Sequence, residues 1–491
     1  VWVGTADGLN RYDHSSGLFT VFRNENSNPN SLSNNEILSM HEDAKHQLWI
    51  GTIAGLNLLD RKKGTFKRFV HEPDRPNTLT NDDIRAISQD QRNGLWIGTR
   101  WGGVNILDLK TDKIQAVVNQ VENQNSLSNN TVLSMLKDSR GNMWVGVSGR
   151  GLNVHDPRTA RFIHYHHMAN NPNSLLDEGV WGAVKDHEGN LWVATFEGAS
   201  VIEPDGRVRH FRHDPNNPRS LISNQLKTII QDKQQRIWIG SVYGLNLYDP
   251  KTRSFTRFRN AKDDPFSLSH DEVTCIYQDK QNRLWIGTEG GLNELDARTG
   301  KFKRYALDGR GGGTNHFRIK CITQDTKGHL WIGTDGGVNV LNPETGMFKY
   351  FTYDANDPHS LASNIVKTIS LDKTGNVFIG TERGLSLYDI QTLSFKNWSE
   401  DDGLSNNVIY GILIDEKNNL WLSTNMGLNK FNTITQAFTH YDKYDGLQSD
   451  EFNTGSYYKD RNGNMYFGGI NGLTVFHPDS IRSNTFVPPV L

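Results

Sequence analysis

Cysteine is nearly absent: two in 491 residues leave nothing from which to build a disulfide framework or a four-cysteine zinc site. Charge of one sign is lacking too. Lys and Arg number 53 against 55 Asp and Glu, a formal net charge of −2. A nucleic-acid binder needs a basic face and a membrane-surface protein a polybasic one, and this balance suggests neither. No apolar run reaches the roughly 18 residues that span a bilayer. Methionine is sparse at seven, and no segment sustains a 3.6-residue apolar period, which argues against a helical protein. No P-loop, no G-x-G-x-x-G after a strand and no calcium-loop spacing occurs, and no Ser-His-Asp arrangement follows from spacing.

What the chain has in excess is glycine, 46 residues, and tryptophan, 12. The string LWIGT accounts for most of the latter. It recurs at Trp2, Trp49, Trp96, Trp144, Trp192, Trp238, Trp285 and Trp331, then in degraded form at Phe378, Trp421 and Tyr466. Eleven units of about 46 residues therefore use the whole chain. One unit, read from Ile84, holds an inner run ending at Asp90, the run Leu95–Thr99, the run Gly103–Asp108 and a variable fourth run. Short β-branched and aromatic runs punctuated by Gly, Asn and Asp predict four hairpin-connected strands. Four antiparallel strands repeated at this period predict an all-β fold of β-propeller blades. Each blade needs one bulky side chain to fill the wedge beside its neighbour, which gives Trp its place. The outer-to-inner connection, such as Asn28-Pro29-Asn30-Ser31-Leu32, reads as a structural crossing. One departs from it: Gly309-Arg310-Gly311-Gly312-Gly313, readable as a lid or as a loop that lost its plug.

Units such as LWIGTEGGLNELDARTGKFKRY resemble the two-component regulator propeller repeat, and the resemblance covers all eleven units. The tail Phe486–Leu491 resembles the start of the β-sandwich that follows such propellers. The resemblance implies two tandem propellers: an N-terminal one over residues 1–174, four blades visible and incomplete, and a seven-bladed one over residues 175–491. It further implies the periplasmic sensor region of a membrane signalling protein, with a histidine kinase, or less commonly a diguanylate cyclase, as output. On that reading the chain is non-catalytic and meets the membrane only through segments downstream. It binds a carbohydrate or oligosaccharide, takes no cofactor or metal, and touches no nucleic acid. A homodimer is compatible with it. Rival readings are a propeller-fold polysaccharide lyase or glycosidase, and a protein-interaction scaffold.

Two rings of residues are the candidates for ligand contact. The second residue of each inner strand in the C-terminal unit reads Trp181, Lys227, Thr274, Lys320, Lys367, Tyr410 and Gly455. Three lysines without nearby acids and two aromatics suit an anionic sugar; the plainer role is stems packed between blades with heads in water. The turn after LWIGT supplies the other ring, including Phe196, Tyr243 and Arg383. Its acids Glu289, Asp335 and Glu382 suit hairpin chemistry better than cation binding or glycosidic acid/base work. The recurrent Asp before each second strand reads as a turn former. Cys275 and Cys321 read as small inner-strand residues, with a cross-blade disulfide as the alternative. His164, His166 and His167 read as solvated.

Overall fold

The computed structural model describes residues 1–481 except 74, 76, 92, 120–125, 140, 158–161 and 306–312. The glycine-rich loop at Gly309 and the tail from Phe486 thus lie outside the described residues. The chain is an all-β propeller protein: its described strands form eleven antiparallel sheets, nine of four strands and two of three.

The sheet holding Trp285 shows why the repeat folds as it does. Val273–Gln278, Leu284–Thr288, Gly291–Asp296 and Lys301–Tyr305 pair in sequence order. Every residue of Leu284–Thr288 is buried, because the sheet is packed on both faces and a strand covered twice must be apolar throughout. Trp285 reaches forward into the next sheet, sharing a cluster with Ile319, Ile322 and Ile332. Trp238 does the same with Val273, Ile276 and Ile286. Gly287 sets the spacing. A Cβ there would lie 2.5 Å from Cys275 Sγ and 2.7 Å from Ile319 Cγ2, so only glycine lets the next inner strand come this close.

The chain divides into two compact units, Val1–Thr159 and Ala160–Leu491. In the first, four sheets follow one another, those at either end having three described strands. The end sheets expose Val3, Phe19 and Val21 on one and Leu133, Leu136, Leu152 and Val154 on the other.

The second unit contains seven four-stranded sheets whose inner strands contact one another in a closed cycle, Val180–Lys185 touching both Leu226–Gln231 and Phe452–Lys459. Its last sheet takes its outermost strand from the start of the unit: Ile163–Tyr165 pairs with Gly472–Phe476, Ile163 opposite Val475 and Tyr165 opposite Leu473. This strand moves the division between units from the 174/175 expected from the repeat to 159/160. It also half-buries His164. His164 Nε2 meets the Gly446 carbonyl oxygen, and desolvation holds its imidazole below the ordinary range.

Candidate functional site

The inner strands share a feature that the repeat alone does not announce. In five sheets of the second unit the pairing of inner and second strand slips by one residue, between Val180 and Gly182, Leu226 and Thr228, Val273 and Cys275, Ile319 and Cys321, and Val366 and Thr368. The skipped residues are Trp181, Lys227, Thr274, Lys320 and Lys367. A bulged residue leaves the ladder and its side chain is re-aimed. The candidate ring is therefore a ring of β-bulges.

These bulges bring the two expected rings together. Trp181 lies flat on Phe196 of its own sheet's turn, ring centroids 4.7 Å apart and planes 8° from parallel. Lys227 Nζ stands 5.8 Å from the Trp181 ring and pairs with Glu272 at 2.6 Å. Lys320 Nζ reaches Glu289 at 2.9 Å and Asp335 at 3.8 Å, and Arg318 contacts the same two carboxylates at 2.9 and 3.6 Å. Tyr410 donates its hydroxyl to Asn425 Oδ1 at 2.9 Å. Thr274 donates its hydroxyl to the Ile319 carbonyl.

The lysines are thus not a cluster without acids, as the sequence suggests. Their partners come from a connection (Glu272) and from the turn ring (Glu289, Asp335), positions that no single repeat offset links to the bulge. Lys367 alone of the three has no carboxylate within ion-pair distance among the described residues. Tyr243 and Arg383 are exposed on turns of the second and fifth sheets of the unit, Arg383 lying 5.8 Å from the Tyr353 ring. Glu289 and Asp335, held by the same two cations, are charge partners rather than an acid/base pair.

The seventh sheet departs furthest. Between the paired residues Phe452 and Tyr457 the inner strand advances five residues while its partner advances two, from Gly469 to Phe467. Gly455, expected at the candidate ring, belongs to this excursion, whose Asn453 donates to the Val180 carbonyl at 2.9 Å. Beyond it Tyr457 leaves its own sheet and its hydroxyl oxygen accepts from Thr368 Oγ1, two sheets away, at 2.8 Å. Burial pushes its phenol well above the ordinary range. Tyr457 thus crosses between inner strands beneath the mouth, a role hidden from the repeat because only the last unit carries the extra residues. Cys275 and Cys321, at the same inner-strand offset as Thr368, are both free thiols.

What assembles here is a flat aromatic face at one side of the mouth, ion-paired donors and acceptors around it, and one unpaired lysine. Among the described residues no group of three or more His, Cys, Asp or Glu side chains is arranged to hold a metal ion, and no helix is long and apolar enough to cross a membrane.

Comparison with known proteins agrees with this architecture. The model of the two component regulator propeller matches six times, at residues 31–54, 78–101, 126–149, 267–290, 312–336 and 403–426. The extracellular domain of the putative hybrid two component system BT3049 from B. thetaiotaomicron is similar over 100% of this chain and 75% of its own, at 25% identity and a TM-score of 0.71. The extracellular domain of BT4673 from the same organism, described as a putative one component or hybrid two component system, shares the fold over 99% of this chain and 70% of its own, at 20% identity and a TM-score of 0.55. No curated protein matches. Six segments of the chain thus match the two component regulator propeller repeat, and the whole chain is similar to the extracellular domain of a putative hybrid two component system.

Proposed function

We propose that this chain is the periplasmic ligand-sensing region of a membrane signalling protein, and that the mouth of its second unit binds an oligosaccharide that regulates a cytoplasmic kinase. The observation that carries the ligand class is the Trp181–Phe196 stack, a flat apolar surface beside the Lys227–Glu272 pair. A sugar ring has an apolar face to lay on such a surface and hydroxyls around its edge. Charged donors and acceptors side by side satisfy those hydroxyls better than a field of one sign. Because Lys227 and Lys320 are already neutralised, the site favours an uncharged or singly charged sugar over a polyanion, with Lys367 the partner for any single acid group. Tyr457 beneath the mouth makes the ligand end at the mouth instead of threading through. Glu289 and Asp335 are both engaged by Lys320 and Arg318 instead of standing free for glycosidic chemistry, which favours a chain that reads its ligand without cleaving it. Sensing requires that the ligand bind two conformations unequally.

Calorimetric titration of the chain with neutral and acidic oligosaccharides tests the reading. Binding that is lost in Trp181→Ala and Phe196→Ala, with the sugar recovered intact, supports it. Binding indifferent to both substitutions, or release of new reducing ends, overturns it.

A further inference from the structure

The repeats make each groove between neighbouring sheets comparable with its siblings, so a charge pattern found in only one of them is not dictated by the scaffold. Between the first two sheets of the second unit, the outer strands Val208–Phe211 and Ser254–Phe258 and the connection from residue 212 enclose a groove of about 430 Å³. Arg212, Arg219 and Arg253 line it together with His210, and Asp214 is the one acid among the lining residues. All three arginines are exposed, and none has a carboxylate within ion-pair distance among the described residues. Asp214 is itself engaged, its Oδ1 accepting the Asn216 N–H at 2.9 Å.

The scaffold that presents these side chains is common property. Arg257 pins the connection by donating to the carbonyls of Ser220, Asn217 and Leu221 at 2.8, 2.8 and 3.0 Å, and the Phe255 N–H donates to the Arg219 carbonyl at 2.7 Å. In the following groove Arg304 and Phe302 make the same bonds, to Ser267, Asp264, Leu268 and Phe266. The three variable positions differ. Where this groove has Arg212, Arg219 and Arg253, the next has Arg259, Phe266 and Gly300, and a groove further on has Thr352, His359 and Leu393. Neither sibling repeats the full set of guanidiniums, and folding does not need it.

We propose that this groove is a binding site for a small molecule carrying two or more oxyanion groups, phosphate, sulfate or carboxylate, held by Arg212, Arg219 and Arg253. Guanidinium forks match such groups bidentately and stay charged at any physiological pH. Three of them facing one acid leave an uncompensated positive potential in a concave surface, which concentrates anions. The site is separate from the channel mouth, where the lysines are largely neutralised, and does not depend on what binds there.

Sister repeats supply the test variants. Arg219→Asn restores the residue of Asn30, Asn77 and Asn173, and Arg212→Thr that of Thr352. Arg253 sits at φ 53°, in the left-handed region that Gly64, Gly300 and Gly346 occupy at the same turn, so Arg253→Gly relieves the backbone while removing the charge. Pyrophosphate and citrate, with acetate for comparison, are titrated into the chain by calorimetry at low salt, where screening is weakest. Both multivalent probes are expected to bind and acetate not to. The R212T/R219N/R253G protein is expected to keep its melting temperature and to bind at least about tenfold more weakly. A control losing equal charge elsewhere, K62Q/K110Q/K262Q, is expected to bind as the parent does. Failure of both probes to bind, affinity within about twofold in the arginine variant, or equal losses in the control overturns the proposal. So does arginine-dependent binding to phosphatidylglycerol vesicles without binding of the soluble anions, which would reassign the groove to an anionic membrane surface.

Discussion

Trp285 donates its indole N–H to Asp279 Oδ2 at 3.0 Å, both side chains being buried. The same bond spans six residues in seven other repeats, from Asp43–Trp49 to Asp415–Trp421. In the last repeat Tyr466 keeps it with a hydroxyl, 3.1 Å from Asp460 Oδ2. The other carboxylate oxygen of Asp279 accepts the N–H groups of Gln281 and Arg283 at 2.9 and 2.8 Å, closing the turn. One aspartate thus shapes the hairpin and satisfies the polar edge of the wedge.

Asp279→Ala strips partners from a buried indole N–H and two turn amides at once, and leaves the Arg283 guanidinium, 2.6 Å from Oδ2, with only the exposed Glu344 carboxylate at 3.1 Å. A loss of about 2–4 kcal/mol is expected on that account, read by urea denaturation. Trp285→Phe keeps most of the apolar volume and is expected to cost less, about 1–2 kcal/mol.

At the mouth, Phe196→Ala removes half of the stacked pair from a partly exposed turn. Oligosaccharide affinity should fall about tenfold or more while the melting temperature changes little. Lys227→Met is the opposite case. It leaves Glu272 without its cation, so a modest destabilisation of about 1 kcal/mol is expected beside any change in binding.

Glu416 bridges Lys373 and Lys459 at 2.6 and 2.8 Å, and those hydrogen bonds and charges lower its carboxyl to about 2. A carboxyl lowered in the folded state contributes stability above its unfolded value, and that contribution fades as pH falls from about 4.5 towards about 2. Denaturation curves across this window should therefore have a shallower acid slope in Glu416→Gln than in the parent.

Burial pushes the Cys275 thiol up to about 12 and moves Cys321 in the same direction. Neither is expected to react with Ellman's reagent at pH 8 in the native protein, and both should react at once in denaturant. A raised thiol favours the neutral form in the fold, so its contribution is intact below the unfolded value near 9 and declines as pH rises from there towards about 12.

The scaffold was legible because a repeat reports the same physics eleven times. LWIGT must be buried on both faces, and its Trp and Gly set the distance to the next sheet; each copy strengthens the inference. The bulge residues Trp181, Lys227, Lys320 and Lys367 could be picked out by offset, though nothing in their identity revealed the slipped register. Their charge partners could not. Glu272 and Glu289 approach the lysines across sheets, through positions that no periodicity connects. Tyr457 escaped for a related reason: the excursion before it belongs to one unit, where alignment to the repeat simply fails. The Asp–Trp bond lay in plain sight at a constant spacing of six, with turn chemistry alone a sufficient explanation for the aspartate.

The pairing of Ile163–Tyr165 with Gly472–Phe476 carries a kinetic consequence. Each sheet between them is built from neighbours in sequence and can form as soon as its own strands exist. The closing contact joins Tyr165 to Leu473, across nearly the full length of the unit. Loop-closure entropy grows slowly with length, but contacts so remote in sequence are the ones that retard folding. During synthesis the first sheets of this unit are made early, while the partner of Ile163–Tyr165 is made last. Until it arrives, that strand waits with its hydrogen bonds unmade, an open edge on an otherwise finished stack.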